Sequence, residues 1–386
     1  MELKKIHISD IGKVVTGKTP RTSVAENYGG DIPFLTPSDN LSHKSAPKTI
    51  KTLTKQGLNE VKNCLLPPQS VCVSCIGSDL GKVVMTVEPT VTNQQFNSIV
   101  PNENFNADFV YYLMSQVGKE LNYLSKTSTA VPIINKSSFS NYEVEVPSLK
   151  VQEKIASILA SLDSKIELNR RINDNLEQQA QALFAEVFES DHTFTQLGAV
   201  IETCSGGTPS RNNLDYYIDG TICWVKSKEL NRSFLFDTEE KIAQVGIDRS
   251  SAKLLPKNSV LIAMYGATVG EYCIIDKPMT CNQAICALLP SSDYPASYLY
   301  MFIKQKRNEL INLAVGSAQQ NISQVLIKGL SVSANLKLIA KFDKMVMPIF
   351  NMIRKNVKES IILEAERNTL LPRLMSGELK INDLNC

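Results

Sequence analysis

The sequence is poor in the residues from which many active sites are built. Its 386 residues include three histidines and one tryptophan, which leaves little material for histidine-based acid–base or metal chemistry. No apolar run approaches the roughly 18 residues that a membrane-spanning helix needs. The first 15 residues also lack the apolar stretch of a signal peptide. We therefore expect a cytoplasmic protein with no membrane partner.

Motifs for nucleotide hydrolysis, base methylation and DNA cleavage are also missing. There is no G-x-x-x-x-G-K-[ST] phosphate loop, which argues against a built-in ATP-driven motor. The nearest approach to the Asn/Asp-Pro-Pro-aromatic loop of amino-methyltransferases is LPPQ at 66–69, which lacks the amide or acid and the aromatic residue. Glu-x-Lys triplets such as 239–241 occur without a preceding Pro-Asp. We predict no catalytic residue, metal site or cofactor in this chain.

The sequence contains instead a long internal repeat. Segments 66–85 and 255–274 share Leu-Pro, Ser-Val, an apolar run and two glycines four positions apart. Three further pairs follow the same order: GKTPRT with GGTPSR, starting at 17 and 206, TNQQ with CNQA, at 92 and 281, and ADFVYYLM with ASYLYMFI, at 107 and 296. Ordered matches at a nearly constant spacing indicate two copies of one domain.

Each copy has a globular part followed by a long helix. Runs such as 70–77 and 259–266 are typical of buried strands, and 107–124 has apolar residues at helical spacing. Residues 151–188 contain no glycine or proline and have apolar residues three or four positions apart, and 336–375 repeats the pattern. Pro348 predicts a kink in the second helix, and Pro372 with Gly377 predicts its end.

The two long helices are expected to pack on each other, because each has an apolar stripe too long for a small head to cover. Asparagine falls within the stripe of both helices, and a buried seam asparagine fixes register at a cost in stability. The alternative is that both asparagines lie solvated at its edge. The predicted seam is Ile155, Leu162, Ile166, Asn169, Leu176 and Leu183 in the first helix and Ile349, Ile353, Asn356, Leu363 and Leu370 in the second.

The cysteines are interpreted as free thiols. Nine is an odd number, and disulfide frameworks are rare in the cytoplasm. Cys72 and Cys75 form a lone CxxC, which could be a redox pair or half a zinc site. The stretch has the pattern of a buried strand, however, and the second copy has Leu261 and Met264 there. We favour core packing.

Loops that combine glycine with hydroxyl, amide and basic side chains occur in both copies. Such loops can bring N–H groups, hydroxyls and cations to phosphates, although Gly-Thr-Pro can also be a simple turn. Lysines cluster at 38–62, a pattern also seen on plain solvated surfaces. We predict DNA contacts from Lys18, Thr19, Arg21, Thr22, Lys44, Lys48, Lys51, Lys55, Ser78 and Lys82 in the first copy, and from Thr208, Ser210, Arg211, Lys226, Lys228, Arg232, Thr268 and Gln319 in the second.

Differences between the copies predict where any sequence discrimination lies. If the copies read different bases, the residues identical in both cannot tell those bases apart. The shared glycines, Thr-Pro and Asn-Gln pairs would then shape the loops. Discrimination would lie chiefly at 38–56 and 227–245, with the tips at 78–80 and 267–269.

These features together resemble the specificity (S) subunit of type I restriction–modification systems. The resemblance covers essentially the whole chain and includes the two loops, the LPPQSVCVSCIG and LPKNSVLIAMYG strands and the closing TLLPRLMSGEL. It implies an α+β fold of two homologous mixed α/β target recognition domains, joined and spaced by two long antiparallel helices as a pseudo-two-fold repeat. We place the first head at 1–147, the central helix at 148–190, the second head at 191–335 and the last helix with its tail at 336–386.

The resemblance also implies a function. Each head would read one half of a bipartite target in double-stranded DNA, and the helices would set the gap and dock two modification (methyltransferase) subunits. The partners would bring S-adenosylmethionine, and restriction (translocase/nuclease) subunits would bring ATP and Mg²⁺. The polar segment at 331–337 departs from the proline-rich pattern of 144–156, which leaves the start of the second helix open.

Two other functions compete with this one. The formal net charge of only +2 is compatible with a coiled-coil scaffold whose heads bind protein rather than DNA. Salt dependence separates the two, because phosphate contacts release counterions. A methyltransferase in its own right lacks the cofactor and catalytic loops.

Overall fold

The computed structural model describes residues 2–45, 48–77, 79–126, 133–314 and 321–379. The chain divides into two compact units, unit 1 with residues 1–165 and 363–386, and unit 2 with residues 166–362. The division falls inside the two long helices, whereas the sequence-based boundaries follow the ends of the helices. Each unit therefore contains one head and a part of each helix.

Unit 1 has a head of three small sheets beside one long helix. Their strand orders are β1-β10, β2-β9-β6-β7 and β4-β3-β8-β5. The strands are β1 (Lys4–His7), β2 (Gly12–Thr16), β3 (Tyr28–Leu35), β4 (Lys51–Leu53), β5 (Leu65–Leu66), β6 (Val71–Ser74), β7 (Val83–Met85), β8 (Thr90–Thr92), β9 (Phe96–Pro101) and β10 (Glu143–Val146). The helices are α1 (Ile8–Ile11), α2 (Lys55–Glu60), α3 (Ala107–Lys126), α4 (Lys136–Ser140) and the long α5 (Leu149–Phe188).

Unit 2 has the corresponding arrangement. Its sheets have the orders β11-β20, β12-β19-β16-β17-β14 and β15-β13-β18. The strands are β11 (Phe194–Gln196), β12 (Glu202–Ser205), β13 (Ile222–Val225), β14 (Phe234–Leu235), β15 (Lys241–Ile242), β16 (Val260–Ala263), β17 (Tyr272–Ile275), β18 (Thr280–Cys281), β19 (Ile285–Leu289) and β20 (Ser331–Ser333). The helices are α6 (Leu197–Val200), α7 (Gln244–Asp248), α8 (Ala296–Asn312), α9 (Gln324–Lys328) and the long α10 (Leu336–Ser376).

Strand registers confirm that the heads are copies of one fold. In unit 1, Val71 of β6 lies opposite Met85 of β7 and Ile99 of β9. In unit 2, Val260 of β16 lies opposite Ile274 and Leu288. Each residue of the second set follows its counterpart in the first set by the spacing of the sequence repeat. The predicted α+β class with an internal repeat is correct.

The apolar runs form the buried strands that the sequence predicts. Strand β6 is buried along its whole length, and β10 alternates exposed and buried positions. Because Cys72 points into this core, burial raises the pKa of its thiol to about 12. Cys72 and Cys75 are both free and buried, which agrees with core packing.

The long helices pack antiparallel within unit 2. Asn169 of α5 donates to Glu359 and Ser360 of α10, at 2.8 and 3.3 Å. Further along α5, the ring of Phe184 contacts that of Phe342, with centroids 5.2 Å apart. The contacts move towards the N-terminus of α10 as α5 proceeds, so the directions are opposite. Phe184 also contacts Tyr298 of α8, so the head and the helix pair share one core.

Every residue of the predicted seam is buried or partly buried. Both asparagines are buried, and Asn356 donates to Asn173 of α5 at 2.9 Å. The Oδ1 atom of Asn169 is buried without a hydrogen-bond partner among the described residues. Both asparagines therefore lie inside the stripe, and the alternative of solvated asparagines at its edge is wrong. That these asparagines fix the register stays a prediction.

Helix α10 begins at Leu336 and continues through Pro348 and Pro372 without interruption. Both prolines lie on its exposed side, where water can bind the carbonyl groups left without an N–H partner. The helix ends at Ser376, and Gly377 follows with a φ of 76°. Glycine at this position is a common helix terminator. Gly377 therefore marks the end as predicted, while Pro372 lies inside the helix.

In unit 1 the same two helices are joined by a charged cluster. Arg367 of α10 donates to Asp163 of α5 at 2.6 Å. Tyr112 of α3 donates to the same carboxylate at 2.5 Å. The Asp163 side chain is nearly buried, so these two donors replace hydrogen bonds that water would otherwise make.

We expect Arg367→Leu to destabilise unit 1 by about 3 kcal/mol, because Asp163 would keep a buried charge without its cation. The figure is at the low end for such pairs, since Arg367 keeps 25% of its side chain exposed. Amide hydrogen exchange in β6 and β9 measures this stability. Arg373→Leu removes an exposed ion pair of α10 in the same unit and serves as the control, with an effect within about 0.5 kcal/mol. Equal effects of the two variants would contradict the prediction.

We expect the double variant Asn169→Leu/Asn356→Leu to keep or raise the stability of unit 2, because a buried asparagine in a helix seam costs stability. The partners Asn173 and Glu359 are only partly buried, so water can replace the hydrogen bonds that they lose. Urea denaturation followed by helical circular dichroism measures the change. Asn175→Leu, at an exposed position of α5, is the control. A loss above about 1 kcal/mol in the double variant alone would show that the asparagines stabilise the helix pair.

Candidate nucleic-acid interface

The Gly-Lys-Thr-Pro loop of unit 1, residues 17–20, follows β2 and is fixed against the turn before β9. The N–H of Gly17 donates to the carbonyl of Phe96 at 3.1 Å. The hydroxyl of Thr19 donates to Oε1 of Gln94 at 2.6 Å. A Cβ atom on Gly17 would lie 2.1 Å from the carbonyl oxygen of Asn93, so only glycine fits there.

The loop of unit 2 is built by the same contacts. The N–H of Gly206 donates to the carbonyl of Ile285 at 3.1 Å, and Thr208 donates to Gln283. A Cβ atom on Gly206 would lie 2.2 Å from the carbonyl oxygen of Asn282. The residues shared by the two copies thus hold the loop together, which is the role that the repeat predicts for them.

A tyrosine fastens the proline of each loop. Tyr28 donates to the carbonyl of Pro20 at 2.9 Å, and Tyr217 donates to the carbonyl of Pro209 at 2.6 Å. Tyr28 also contacts Phe34, with ring centroids 6.3 Å apart, and Tyr217 contacts Trp224 at the same distance. Each loop is therefore supported from both sides, and its outer residues occupy fixed positions.

Immediately after each proline loop an arginine is held by a glutamate. In unit 1, Nε and Nη2 of Arg21 donate to Oε1 of Glu60 at 3.0 and 2.9 Å. The backbone N–H of Arg21 donates to Oε2 at 2.9 Å. These bonds lower the pKa of the Glu60 carboxyl to about 2. The Arg21 side chain nonetheless stays 75% exposed.

In unit 2, Arg211 is fixed by a carboxylate and two rings. Nη2 of Arg211 donates to Glu240 at 2.6 Å. The guanidinium lies 4.5 Å from the centroid of the Tyr217 ring and 5.1 Å from that of Trp224. Such stacking fixes the plane of a guanidinium. The Arg211 side chain remains 54% exposed.

The other cations near this loop are paired with the same acidic segment. Lys226 contacts Glu239 and Glu240, each at 3.1 Å, and Lys228 contacts Glu239 at 2.7 Å. Although partial burial opposes the change, hydrogen bonds from Arg211 and Lys226 lower the pKa of Glu240. The cations and carboxylates form one compact charged network at the loop.

Lys44 is placed differently from the other predicted contacts. Its ammonium contacts Asp108 at 2.7 Å and lies 4.8 Å from the centroid of the Tyr112 ring. Only 13% of its side chain is exposed. Lys44 thus holds the segment before β4 against α3, a placement that disfavours the predicted contact of its ammonium with phosphate.

The remaining predicted residues lie at several places on the two heads. Lys82 contacts Asp79 at 2.5 Å, and Thr268 donates to the carbonyl of Tyr265 at 3.1 Å. Arg232 is half-buried. Ser78 and Gln319 lie outside the described residues. Exposed side chains are found at Lys18, Thr22, Lys48, Lys51, Lys55 and Ser210. No part of the structure tests whether any of them contacts DNA.

The sequence-based reasoning missed the acidic partners. Glu60, Glu239 and Glu240 are assigned no role in binding there, whereas each contacts a predicted DNA-binding cation. The spacing of Arg21 and Glu60 along the chain gives no sign of their contact, because only the fold brings the end of α2 next to the loop. The single tryptophan was a usable signal, since a lone large aromatic beside basic residues suggests stacking.

Two kinds of feature are absent from the described ranges. No helix in them is both long and apolar enough to cross a membrane. Within the same ranges, no three His, Cys, Asp or Glu side chains lie close enough together to hold a metal ion.

The chain is similar to known proteins along nearly its whole length. A specificity subunit named for the type I restriction enzyme MjaIX of Methanocaldococcus jannaschii is 25% identical over 413 aligned positions, which cover 99% of this chain and 94% of that one. The HindI specificity subunit of Haemophilus influenzae is 36% identical over 174 positions, or 43% of this chain and 38% of that one.

The fold is also known from a solved structure. The S subunit of a type I restriction–modification system from M. genitalium gives a TM-score of 0.51 at 16% identity, covering 97% of this chain and 96% of that one. The family described as "Type I restriction modification DNA specificity domain" matches residues 1–178 and 189–333, one match for each copy of the repeat. The chain therefore belongs to the DNA-specificity family of type I restriction–modification systems.

Proposed function

We propose that each head of this specificity subunit reads one half of a bipartite target in double-stranded DNA. One observation carries the proposal: the two units build the same rigid loop from the same bonds but surround it with different side chains. A common frame suits a common task of holding the DNA backbone. Different flanking residues suit different base sequences.

In this proposal both the loops and the basic segments contact the DNA. N–H groups, Thr22 and Ser210 approach phosphates, and exposed cations such as Lys48, Lys51 and Lys55 neutralise them. Bases are read by residues that differ between the copies, chiefly at 38–56 and 227–245 and at the tips 78–80 and 267–269. The alternative of a protein-binding scaffold is not favoured, because the family itself is one of DNA specificity.

The long helices have a separate role in the proposal. The central helix at 148–190 and the last helix from 336 set the gap between the half-sites and dock two modification subunits. Those subunits bring S-adenosylmethionine, and restriction subunits bring ATP and Mg²⁺. This chain contributes recognition and no catalytic group.

The first test maps methylation by a complex of this chain with its modification subunits. We expect a split motif with a fixed gap. Replacing residues 38–62 by the corresponding segment of another family member should change one half of that motif and leave the other half and the gap intact. Changes in both halves would contradict the assignment of one head to one half-site.

The second test measures the salt dependence of DNA binding. Removing three phosphate contacts by Lys48→Ala/Lys51→Ala/Lys55→Ala should lower the magnitude of the slope of log K against log salt by about 3. Affinity should fall by a similar factor for specific and random duplexes. A triple variant at Lys5, Lys13 and Lys119 removes the same charge from exposed positions outside the segment and is the control. The same slope in both triple variants would contradict these phosphate contacts.

A further inference from the structure

Arg21 and Arg211 have an arrangement that phosphate binding does not require. Each lies one or two residues after the proline of its loop, and each is exposed over more than half of its side chain. A cation that only neutralises phosphate works as a mobile point charge. Here each guanidinium is instead held in one orientation, in unit 1 by a two-donor contact and in unit 2 by a carboxylate with two rings.

The hydrogen bonds use only part of each guanidinium. In unit 1 the contact with Glu60 takes Nε and one hydrogen of Nη2. This leaves Nη1 and the second hydrogen of Nη2 without a partner among the described residues. In unit 2, Glu240 takes one hydrogen of Nη2 of Arg211. Nε, Nη1 and the second hydrogen of Nη2 have no hydrogen-bond partner in the described chain, and that second hydrogen is parallel to an N–H of either Nε or Nη1. Both arginines keep two N–H groups side by side.

Two parallel N–H donors in one plane match the O6 and N7 acceptors of guanine in the major groove. Fixing the side chain in advance lowers the entropy lost when such a contact forms. A carboxylate close to DNA repels phosphate, so a glutamate beside the loop lowers the general affinity for DNA. The same glutamate can instead position the arginine for one base and weaken binding to unrelated DNA.

We propose that Arg21 and Arg211 each read a guanine in their own half of the target, and that Glu60 and Glu240 are positioning residues that aim them. This inference rests on the proposed function, since it assigns a base to each head. The two sites are independent solutions, because the arginines do not occupy equivalent positions of the repeat: Arg21 corresponds to Ser210 and Arg211 to Thr22.

The test is selection from a randomised duplex library by the complex of this chain with its modification subunits. The wild-type complex should select a split motif with a guanine in each half. Arg21→Lys keeps the charge but loses the paired donors, so preference for guanine at one position of one half should fall roughly 10-fold or more. The other half should stay unchanged, which also shows that the variant is folded. Arg211→Lys should give the reverse result.

Glu60→Gln separates positioning from a structural role. The guanine preference at the same position should fall, while affinity for an unrelated duplex stays equal or rises, because a negative charge has left the surface. Lys18→Ala is the matched comparison, since loss of an exposed cation in the same loop should lower affinity for all duplexes without altering the motif.

Three results would overturn the inference. If Arg21→Lys and Arg211→Lys select the wild-type motif and only bind more weakly, the arginines contact phosphate. If Glu60→Gln keeps the full guanine preference, Glu60 does not position Arg21. A wild-type complex that selects no motif would overturn the proposed function as well, so the two failures are distinguishable.

Discussion

The rest of the structure depends on one constraint: the apolar faces of the long helices are buried in the cores of the heads. In unit 2, Phe184 of α5 and Phe342 of α10 share one apolar cluster with Tyr298 of the head. In unit 1, Leu159 and Leu374 do the same with the residues of α3. Separating a helix from its head would expose these side chains, at about 25 cal/mol for every Å² of apolar surface. The orientation of each head on its helices is therefore fixed by core packing.

The two units satisfy this constraint with different chemistry. By the spacing that relates Asn169 to Asn356, Asp163 corresponds to Phe350 and Arg367 to Ala180. Unit 1 thus has a nearly buried ion pair where unit 2 has an aromatic ring and a methyl group. In unit 2, Phe350 contacts the ring of Tyr300 on α8, with centroids 5.6 Å apart. In unit 1, Asp163 instead accepts a hydrogen bond from Tyr112 on α3.

This difference bears on which partner segment each helix can accept. A buried carboxylate is stable only beside its cation, and a close-packed site of an aromatic ring and a methyl group provides no cation. The helix segments of unit 1 therefore fit each other better than they would fit those of unit 2. The copies share a fold, yet their cores are not interchangeable.

Much of the architecture could be predicted from the sequence because it follows from local patterns. The repeat, the buried strands and both long helices depend on apolar spacing and on where glycine and proline occur, and those predictions agree with the structure within a few residues. The continuation of α10 through Pro372 could not be predicted, since it depends on the proline lying on the exposed side of the helix. Nor could the contacts of Glu60 and Glu240, because they join segments that only the folded sheets bring together.

Internal pairing of the cations has a consequence for how such a protein would move on DNA. Arginines and lysines that are already neutralised by neighbouring carboxylates contribute little long-range attraction, so a chain of formal charge +2 is only weakly drawn to random duplex. Short residence at wrong sites leaves more of the protein free to search. The acidic residues beside the loops would then increase the fraction of molecules available to their targets, a benefit of mass action rather than of tighter binding.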